Sequence, residues 1–345
     1  MKKYLLPKEG NFYKANLHMH TIVSDGQFTP EEVKRDYMAH GYSIVAYTDH
    51  EIMVPHRDLE DENFLPILSY EFSINKWHKE GGFQFTPCYH MNLFAKDPDE
   101  KRMPVFVEQR IPEKSRHYIT QEMRESQDDN FSYSIDYVNG LVEKANKMGF
   151  LVSYNHPCWS LQNYSDYAGL KGFWGVEFMN TGCCVEGYDD YSFRPIEDML
   201  RTGQRVVPLG TDDAHTPPHC FGGFNMIKAK SLKYSDVLGA MEKGELYASN
   251  GPLIEDLYFE DGTVFIKCSP AKQISLQTER RFVKVKNAEE GSYVDFADFD
   301  ISKYLQLTED VKNNPWEPYF RITIKDEKGN LAFSRAYFID ELKRR

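Results

Sequence analysis

Nine histidine, aspartate and glutamate residues of this sequence stand at or near the ends of short apolar runs. They are His18, His20, Asp25, His50, Glu71, His90, His156, Asp213 and His215. Imidazole and carboxylate groups in combination bind divalent transition metals. At about four to five ligands per ion, with one bridging carboxylate, nine such groups are enough for about three ions. The residue types therefore predict a multinuclear metal site, provided that the fold brings them together.

Each of these residues alone is weak evidence for metal binding. An H-x-H pair occurs by chance, and a single histidine on a strand is more often a core or surface residue than a ligand. The segments HMHTIVSDG, TDHE, EFS, NHP and GTDDAH, however, follow one another along the chain, and each lies at the end of a predicted strand. Their joint occurrence favours the interpretation as metal ligands.

The elements that must position these residues alternate between strands and helices. Residues 15–20 alternate apolar and polar side chains, which puts His18 and His20 on the same face of a strand. A helix is predicted next, because Thr29 is a good N-cap residue and Glu32 completes a capping box. The segment YSIVAYTDH then forms a second strand. This succession predicts a parallel sheet with helices on the outside.

The alternation continues to about residue 244 and gives about seven strands. The later strands are LPILSYEFS, TPCYHMNLFA, FLVSYNHP, GVEFMN and RVVPLGTDDAH, and the later helices are SIDYVNGLVEKANKMG, SFRPIEDMLRTGQ and the amphipathic YSDVLGAMEKG. In α/β barrels the carboxyl ends of the strands meet at one mouth, where catalytic residues gather. The ligand-type residues are therefore expected to share one cleft.

The pattern changes near residue 253, where short alternating runs are separated by turns such as Asp261-Gly262 and Lys328-Gly329-Asn330. The expected fold class is α/β, with a distorted seven-stranded (β/α)7 barrel over residues 1–252 and a small antiparallel β domain over residues 253–345. The polar segment 96–129 lacks periodicity and is expected to be an insertion over the surface and a candidate lid.

Composition excludes several classes of function. Forty-one Lys and Arg residues against 53 Asp and Glu residues give a net charge of -12, which disfavours binding to polymeric nucleic acid and to anionic membranes. No apolar run approaches the roughly 18 residues of a membrane span. The apolar stretch before Pro7 is too short for a secretory leader. The six cysteines include no C-x-x-C pair, so reduced thiols and a cytoplasmic location are expected.

Four further residues are candidates for roles beside the ligands. Of the neighbouring residues Asp212 and Asp213, only Asp213 has the D-x-H spacing to His215. Asp212 is therefore expected to lie behind the ligands and is a candidate catalytic residue. Asp49 and Asn155 are candidates to hold ligating side chains, or are plain turn residues. His219 is a candidate proton donor to a leaving group, or a residue of a surface loop.

Together these motifs resemble the PHP (polymerase and histidinol phosphatase) family of metal-dependent phosphoesterases, over roughly residues 10–250. The resemblance implies a PHP barrel that holds up to three divalent ions. By this resemblance one ion would be bound by His18, His20, Glu71 and Asp213, a second by Asp25, His50 and His215, and a third by the bridging Glu71, His90 and His156. The segments GGFNMIKAKSL and YFRITIKDEKGNLAF are similar to a branch that includes carbamate-cleaving hydrolases.

The expected activity is a metal-dependent phosphoesterase that acts on a small phosphorylated molecule with two to three ions of Mn, Zn or Fe. A water bridging two ions would lose a proton near neutral pH and attack the phosphoryl group. The alternatives are an amide, carbamate or carboxylic-ester hydrolase with the same metal site, and an inactive metal-binding regulatory protein. Phosphate recognition also needs a cationic side chain. The candidates are Lys79, Arg102, Arg110 and Arg116.

Overall fold

The computed structural model describes residues 2–76, 86–189, 191–310 and 316–343, which form two β-sheets and surrounding helices. The strands are β1 (Lys2–Tyr4), β2 (Asn11–Asn16), β3 (Ile44–Tyr47), β4 (Leu65–Asn75), β5 (Cys88–Ala95), β6 (Phe150–Tyr154), β7 (Gly175–Asn180), β8 (Val207–Thr211), β9 (Phe224–Ala229), β10 (Leu246–Ser249), β11 (Ile254–Glu260), β12 (Thr263–Ala271), β13 (Gln273–Thr278), β14 (Val283–Asn287), β15 (Val294–Asp300), β16 (Tyr319–Lys325), β17 (Leu331–Ser334) and β18 (Tyr337–Phe338).

Helices connect most of the strands in the first two thirds of the chain. The α-helices are α1 (Pro30–Ala39), α2 (Gln121–Arg124), α3 (Ile135–Lys147), α4 (Tyr164–Tyr167), α5 (Thr181–Val185), α6 (Phe193–Arg201), α7 (Tyr234–Lys243), α8 (Ser302–Asp310) and α9 (Ile339–Lys343). Short 3₁₀ helices span Arg57–Leu59, Glu108–Arg110, Glu113–Tyr118 and Pro217–His219. Among the described residues, no helix combines the length and the apolar character that crossing a bilayer requires.

The start of α1 has the structure that its sequence predicts. The backbone N–H of Glu32 donates to the Thr29 hydroxyl at 3.2 Å, and the backbone N–H of Thr29 donates to the Glu32 carboxylate at 2.9 Å. Two N–H groups that have no partner within the helix are thereby satisfied. This capping box fixes where α1 begins, and so also fixes the length of the loop that carries Asp25.

The larger sheet is mixed rather than parallel. Its order is β14-β13-β16-β17-β10-β9-β2-β3-β4-β5-β6-β7-β8, with β18 beside β16. Strands β2, β3 and β4 are parallel to one another, as are β6, β7 and β8, but β5 runs antiparallel to both β4 and β6. The prediction of a purely parallel sheet is therefore wrong at β5. Reversal of β5 brings the beginning of this strand, rather than its end, to the carboxyl end of β4.

The sheet does not close into a barrel, so the predicted seven-stranded (β/α)7 barrel is not confirmed. Residues 11–15 of β2 pair antiparallel with β9. The backbone groups that barrel closure would need on this edge of β2 are therefore already used. Beyond the ends of β2 and β8, a single parallel bridge joins Met19 to Ala214, and the Asp213 N–H donates to the His18 carbonyl at 2.9 Å. The two strand ends meet only where the predicted ligands lie.

Strands from the last third of the chain extend the same sheet and also form a second one. The order β10-β17-β16-β13-β14 continues the large sheet, and β1, β11, β12 and β15 form a four-stranded sheet. The predicted hairpins at Asp261-Gly262 and Lys328-Gly329-Asn330 are confirmed as the β11–β12 and β16–β17 turns. A separate hydrophobic core joins the two sheets, in which Leu257 and Ile266 meet Ile274 and Ile322. The chain's first strand, β1, belongs to this part.

The segment 96–129 is packed against the main core rather than lying over the surface as predicted. Met103, Val105, Phe106, Ile111 and Met123 are all buried in that core. The segment consists of 3₁₀ turns and one four-residue helix. Because such short turns do not impose a regular spacing on buried positions, the sequence shows no periodicity that would reveal this burial.

Candidate metal centre

All nine predicted ligands gather at one end of the large sheet. His18 and His20 follow β2, Asp25 lies in the loop before α1, and His50 follows β3. Glu71 lies within β4, and His156, Asp213 and His215 follow β6 and β8. His90 lies near the beginning of β5, not at the end of a strand as the sequence pattern suggested. It reaches the same place because β5 is antiparallel and pairs His90 with Ser73 of β4.

The ligand atoms of these residues form overlapping groups, each with all its atoms within 4.8 Å of one another. The groups are His20, Asp25, His50 and His215; His18, His20 and Asp213; Glu71, His90 and His156; and His18, His156 and Glu177. The first three correspond closely to the three ligand sets that the family resemblance implies. The fourth contains Glu177, which the sequence reasoning did not single out.

Glu71 occupies the centre of the cluster, with only 1% of its surface exposed. Its Oε1 lies 3.0 Å from His90 Nδ1 and 3.4 Å from His156 Nε2. Its Oε2 lies 3.2 Å from His50 Nδ1 and 3.4 Å from His20 Nε2. Burial alone would raise the pKa of Glu71, but the surrounding imidazoles, led by His90, hold this pKa well below its usual range. Glu71 is therefore an ionised carboxylate in contact with imidazoles from more than one of these groups.

Asp213 supplies the observation that best tests whether the site fits a metal. Its Oδ1 lies 3.2 Å from His18 Nε2 and 3.1 Å from His20 Nε2, and these two ring nitrogens are 3.1 Å apart. In the described part of the chain, this buried oxygen accepts no hydrogen bond of good geometry. Three ligand atoms that face one another at such distances are expected where a cation completes the site. The donor set of imidazole and carboxylate fits a divalent transition metal.

Glu177 fixes the orientation of two ligands. Its Oε1 accepts a hydrogen bond from His18 Nδ1 at 2.7 Å and one from the Thr211 hydroxyl at 2.8 Å. Its Oε2 accepts one from the backbone N–H of His156 at 3.0 Å. The signal for this residue was present in the sequence, because Glu177 is the only charged residue in GVEFMN, a strand whose residues are all buried.

His50, His215 and Asp25 form the more exposed side of the site. Asp25 Oδ1 lies 3.4 Å from His215 Nε2, and Asp25 Oδ2 lies 3.7 Å from His50 Nε2. Burial, followed by the neighbouring His20 imidazole, lowers the pKa of His50 to about 3. The imidazole of His50 is thereby kept neutral, as metal coordination requires.

Of the two residues proposed to hold ligating side chains, Asn155 contacts one, whereas Asp49 binds a loop. Asp49 Oδ1 accepts hydrogen bonds from the backbone N–H groups of Thr21 at 2.8 Å and Ser24 at 3.1 Å, so it organises the loop that carries Asp25. The Asn155 amide donates to Glu71 Oε1 at 3.0 Å. Among the described residues, neither side chain is hydrogen-bonded to an imidazole of the predicted ligands. The carboxylate beside His18 Nδ1 is that of Glu177.

Asp212 lies behind the site and does not line the cleft. Its Oδ2 accepts from the Tyr37 hydroxyl and the Phe221 N–H, both at 2.8 Å, and its Oδ1 accepts from the N–H groups of Gly222 at 2.9 Å and Gly223 at 3.2 Å. Both oxygens are thus occupied by donors of the 221–223 loop and α1. The geometry does not support the predicted catalytic role of Asp212 and assigns it to holding this loop.

The ligands open into a cleft of about 530 Å³. His219 lines this cleft, is 9% exposed, and has a buried Nδ1 without a hydrogen-bond partner among the described residues. Its ring centroid lies 6.3 Å from that of His215. Trp159 forms part of the wall and packs edge-on against His156, with the ring centroids 5.1 Å apart. His219 is therefore placed to reach a group bound beside the ligands.

Of the cationic candidates, Arg110 is the one that lines the cleft within the described ranges. Its Nη2 lies 2.9 Å from Glu51 Oε1, and its Nη1 donates to the Ser73 carbonyl at 2.8 Å. Arg102 instead pairs with Glu100 at 2.8 Å on the surface, and Arg116 lies beside a separate surface depression. Lys79 falls outside the described residues.

No protein-family model matches this chain, and no curated protein matches its sequence. Three solved structures match it. The first is a two-domain protein from Bacteroides vulgatus that contains a predicted PHP-like metal-dependent phosphoesterase. The second is a proposed metal-dependent phosphoesterase from Bifidobacterium adolescentis, and the third is an amidohydrolase from Chromobacterium violaceum with bound sulfate and no metal.

The first match covers 97% of this chain and 98% of that one, at 15% identity and a TM-score of 0.43. The second covers 62% and 90%, at 16% identity and a TM-score of 0.39. The third covers 59% and 88%, at 16% identity and a TM-score of 0.38. The PHP-like class that the motifs of this sequence resemble is thus found among the solved structures that match the chain.

Proposed function

We propose that this protein is a metal-dependent phosphoesterase that hydrolyses a small phosphorylated substrate. The observation that carries the proposal is the convergence of nine ligand-type side chains, with Glu71 at their centre, together with the unsatisfied Asp213 Oδ1. A cleft of about 530 Å³ is within the size range of small-molecule sites. The substrate is therefore a small molecule rather than a polymer.

The charge of the cleft determines when an anionic substrate can bind. Five carboxylates line it, from Asp25, Glu51, Glu71, Glu186 and Asp213, against a single arginine in the described part of the chain. With the imidazoles neutral, as metal ligands must be, this lining would repel a phosphate dianion. Two to three divalent ions bring about +4 to +6, which reverses the local charge. Phosphate binding is therefore expected to depend on the ions.

Bound divalent ions would supply an activated water and would neutralise charge on the phosphoryl group. Glu71 and Asp213 hold the imidazoles of His18 and His20 in one cluster, and Glu177 keeps Nε2 of His18 directed into it. Arg110 offers guanidinium N–H groups at the cleft wall for a phosphoryl oxygen. His219 is placed to deliver a proton to the leaving oxygen.

The metal content of protein purified without chelator tests the first half of this proposal. Two to three transition-metal ions per chain are expected from elemental analysis. Glu71→Ala should lose more metal than His156→Ala, because Glu71 lies within 3.4 Å of imidazoles from several sets. His117→Ala removes an exposed histidine and should retain the ions. One ion or none in the parent protein would contradict the multinuclear site.

A substrate panel tests the second half. Metal-loaded protein is assayed on phosphomonoesters, phosphodiesters, carbamates, amides and carboxylic esters, with Glu71→Ala and His117→Ala in parallel. Hydrolysis of a phosphoester by the parent and by His117→Ala, but not by Glu71→Ala, is the expected result. If only carbamates, amides or carboxylic esters are hydrolysed, the protein is not a phosphoesterase but an amide, carbamate or carboxylic-ester hydrolase. Metal binding without any hydrolysis would favour a regulatory protein.

A further inference from the structure

A second cavity, of about 800 Å³, shares no lining residue with the metal cleft. Four of its nine lining residues are arginines, namely Arg194, Arg201, Arg280 and Arg281. The whole chain has a net charge of -12, so a group of four guanidinium groups around one cavity departs strongly from the average surface. Such a concentration of arginine is typical of a site for an anion.

The arginines come from two separate parts of the chain that the fold brings together. Arg194 and Arg201 are seven residues apart in α6, which puts them on the same face of that helix. Arg280 and Arg281 lie in the turn between β13 and β14. The Thr278 hydroxyl donates to the carbonyl oxygens of Arg280 at 3.2 Å and Phe282 at 3.0 Å, which fixes this turn. Part of the cavity lining is thus helical, and part belongs to a hydrogen-bonded turn.

The carboxylates beside these arginines cancel only part of their charge. Arg194 pairs with Asp198 at 2.8 Å, and Arg201 lies 3.6 Å from Glu197, whose carboxylate also pairs with Arg321. Asp198 and Glu279 are the acidic lining residues, which leaves the lining at +2 (four arginines minus two carboxylates). Glu279 is buried and already receives hydrogen bonds from Arg280 Nε and the Tyr304 hydroxyl, both at 2.6 Å. Arg281 is exposed and has no hydrogen-bond or ion-pair partner among the described residues. Its guanidinium group is available to a ligand.

Two exposed aromatic rings complete the cavity. Tyr164 at the start of α4 is 62% exposed, and Trp316 before β16 is 43% exposed. Large aromatic side chains are usually more buried than this, and an exposed pair beside arginines offers flat surfaces on which a planar ring can stack. The cavity therefore combines anion-binding and ring-binding groups.

We propose that this cavity binds a small anion that carries an aromatic ring, of the nucleoside phosphate class. Arginine forms paired hydrogen bonds with phosphate oxygens, and Tyr164 and Trp316 accept the base. The volume of about 800 Å³ accommodates such a molecule. This proposal does not depend on the phosphoesterase activity, since the two sites have no lining residue in common.

Binding is measured by calorimetric titration of the full chain with AMP, ATP, inorganic pyrophosphate and adenosine. The test variants are Arg281→Ala, Arg281→Glu and Trp316→Leu. Arg35→Ala is the matched control, because Arg35 is also exposed but lies on α1, away from the cavity. Arg110→Ala separates this cavity from the metal cleft. Arg281 has no described partner, so its removal should leave folding unchanged, which a thermal melt of each variant checks.

AMP and ATP should bind the parent and Arg35→Ala alike, whereas Arg281→Ala should bind them at least about tenfold more weakly and Arg281→Glu more weakly still. Trp316→Leu should weaken the binding of AMP but not the binding of pyrophosphate. Absence of nucleotide binding by the parent, or equal affinity in Arg281→Ala and Arg35→Ala, would overturn the site. Equal affinities for pyrophosphate and ATP in the parent would overturn the ring-binding half. Loss of binding in Arg110→Ala alone would place the ligand in the metal cleft instead.

Discussion

His18 Nδ1 donates a hydrogen bond to Glu177 Oε1 over 2.7 Å, and this contact determines which nitrogen of His18 faces the metal cluster. With Nδ1 occupied by Glu177, Nε2 points to Glu71 and Asp213 at 3.4 and 3.2 Å. A ligating histidine is commonly fixed in this way by a carboxylate on its other nitrogen. Glu177 also accepts the N–H of His156, so one buried carboxylate positions ligands of two different sets.

Removal of Glu177 should therefore weaken metal binding without removing a predicted ligand of the cluster. We expect Glu177→Ala to lower metal affinity about 10- to 100-fold, because the tautomer and ring orientation of His18 are no longer fixed. Competition with a chelator measures the change. Glu143→Ala is the control, since Glu143 pairs with Lys147 on the surface of α3. Equal affinities for metal in the two variants would show that Glu177 does not position the ligands.

Arg110 should recognise the phosphoryl group, as predicted for one of the arginines of the 96–129 segment. Arg110→Ala is expected to raise KM or lower kcat/KM for a phosphomonoester about 10- to 100-fold with the ions retained, the effect of losing charged hydrogen bonds. Arg102→Ala and Arg116→Ala should behave as the parent, because neither residue lines the cleft.

Arg110 also pairs with the buried Glu51, so a loss of stability must be separated from a loss of recognition. Arg110→Lys keeps a positive charge opposite Glu51 but lacks the planar guanidinium fork. If this variant melts like the parent and still has a raised KM, recognition is established. Should Arg110→Ala match Arg102→Ala in KM and kcat, phosphate is held by the ions alone and the lid prediction for residues 96–129 fails with it.

His219 should act on the leaving group rather than on metal binding. We expect His219→Ala to lower kcat about 100-fold or more for an alkyl phosphate, whose leaving oxygen needs a proton, and much less for p-nitrophenyl phosphate, whose leaving oxygen does not. Initial rates on both substrates, with metal content determined alongside, check this. His40→Ala, at the exposed end of α1, is the control. An equal reduction on both substrates would contradict a role as proton donor.

The nine residues that gather in the cluster could be selected from the sequence because most of them follow a short strand or lie in one, and local patterns reveal strands. Three features were not predictable in this way. The direction of β5 depends on its pairing with β4 and β6, so the sequence placed His90 at the wrong end of its strand. The open sheet results from the pairing of β2 with β9, two strands about 210 residues apart in the chain.

The third feature that could not be predicted is the set of hydrogen-bond partners of each buried polar side chain. Asp212 and Glu177 are both buried carboxylates beside the site, yet the sequence reasoning chose Asp212 because it neighbours Asp213 and passed over Glu177. The hydrogen bonds that distinguish them come from residues distant in the chain, such as Tyr37 for Asp212 and His18 for Glu177. Likewise, Arg110 is distinguished from Arg102 and Arg116 by its contacts with Glu51 and Ser73, which no sequence pattern reveals.

Asp212 should contribute to stability rather than to the reaction. Its carboxylate accepts four hydrogen bonds, from the Tyr37 hydroxyl and from three successive backbone N–H groups at residues 221–223. Asp212→Ala leaves the Tyr37 hydroxyl and the Phe221 and Gly222 N–H groups without this acceptor, whereas the Gly223 N–H keeps the Thr181 hydroxyl at 2.7 Å. Each unsatisfied buried donor costs about 1–3 kcal/mol. We therefore expect the free energy of unfolding to fall by about 3 kcal/mol or more, measured by urea denaturation, with metal content largely retained. Tyr37→Phe removes only one of the four donors and should cost about 1 kcal/mol. If Asp212→Ala instead has the stability of the parent and no activity, Asp212 takes part in the reaction, as its position beside Asp213 first suggested.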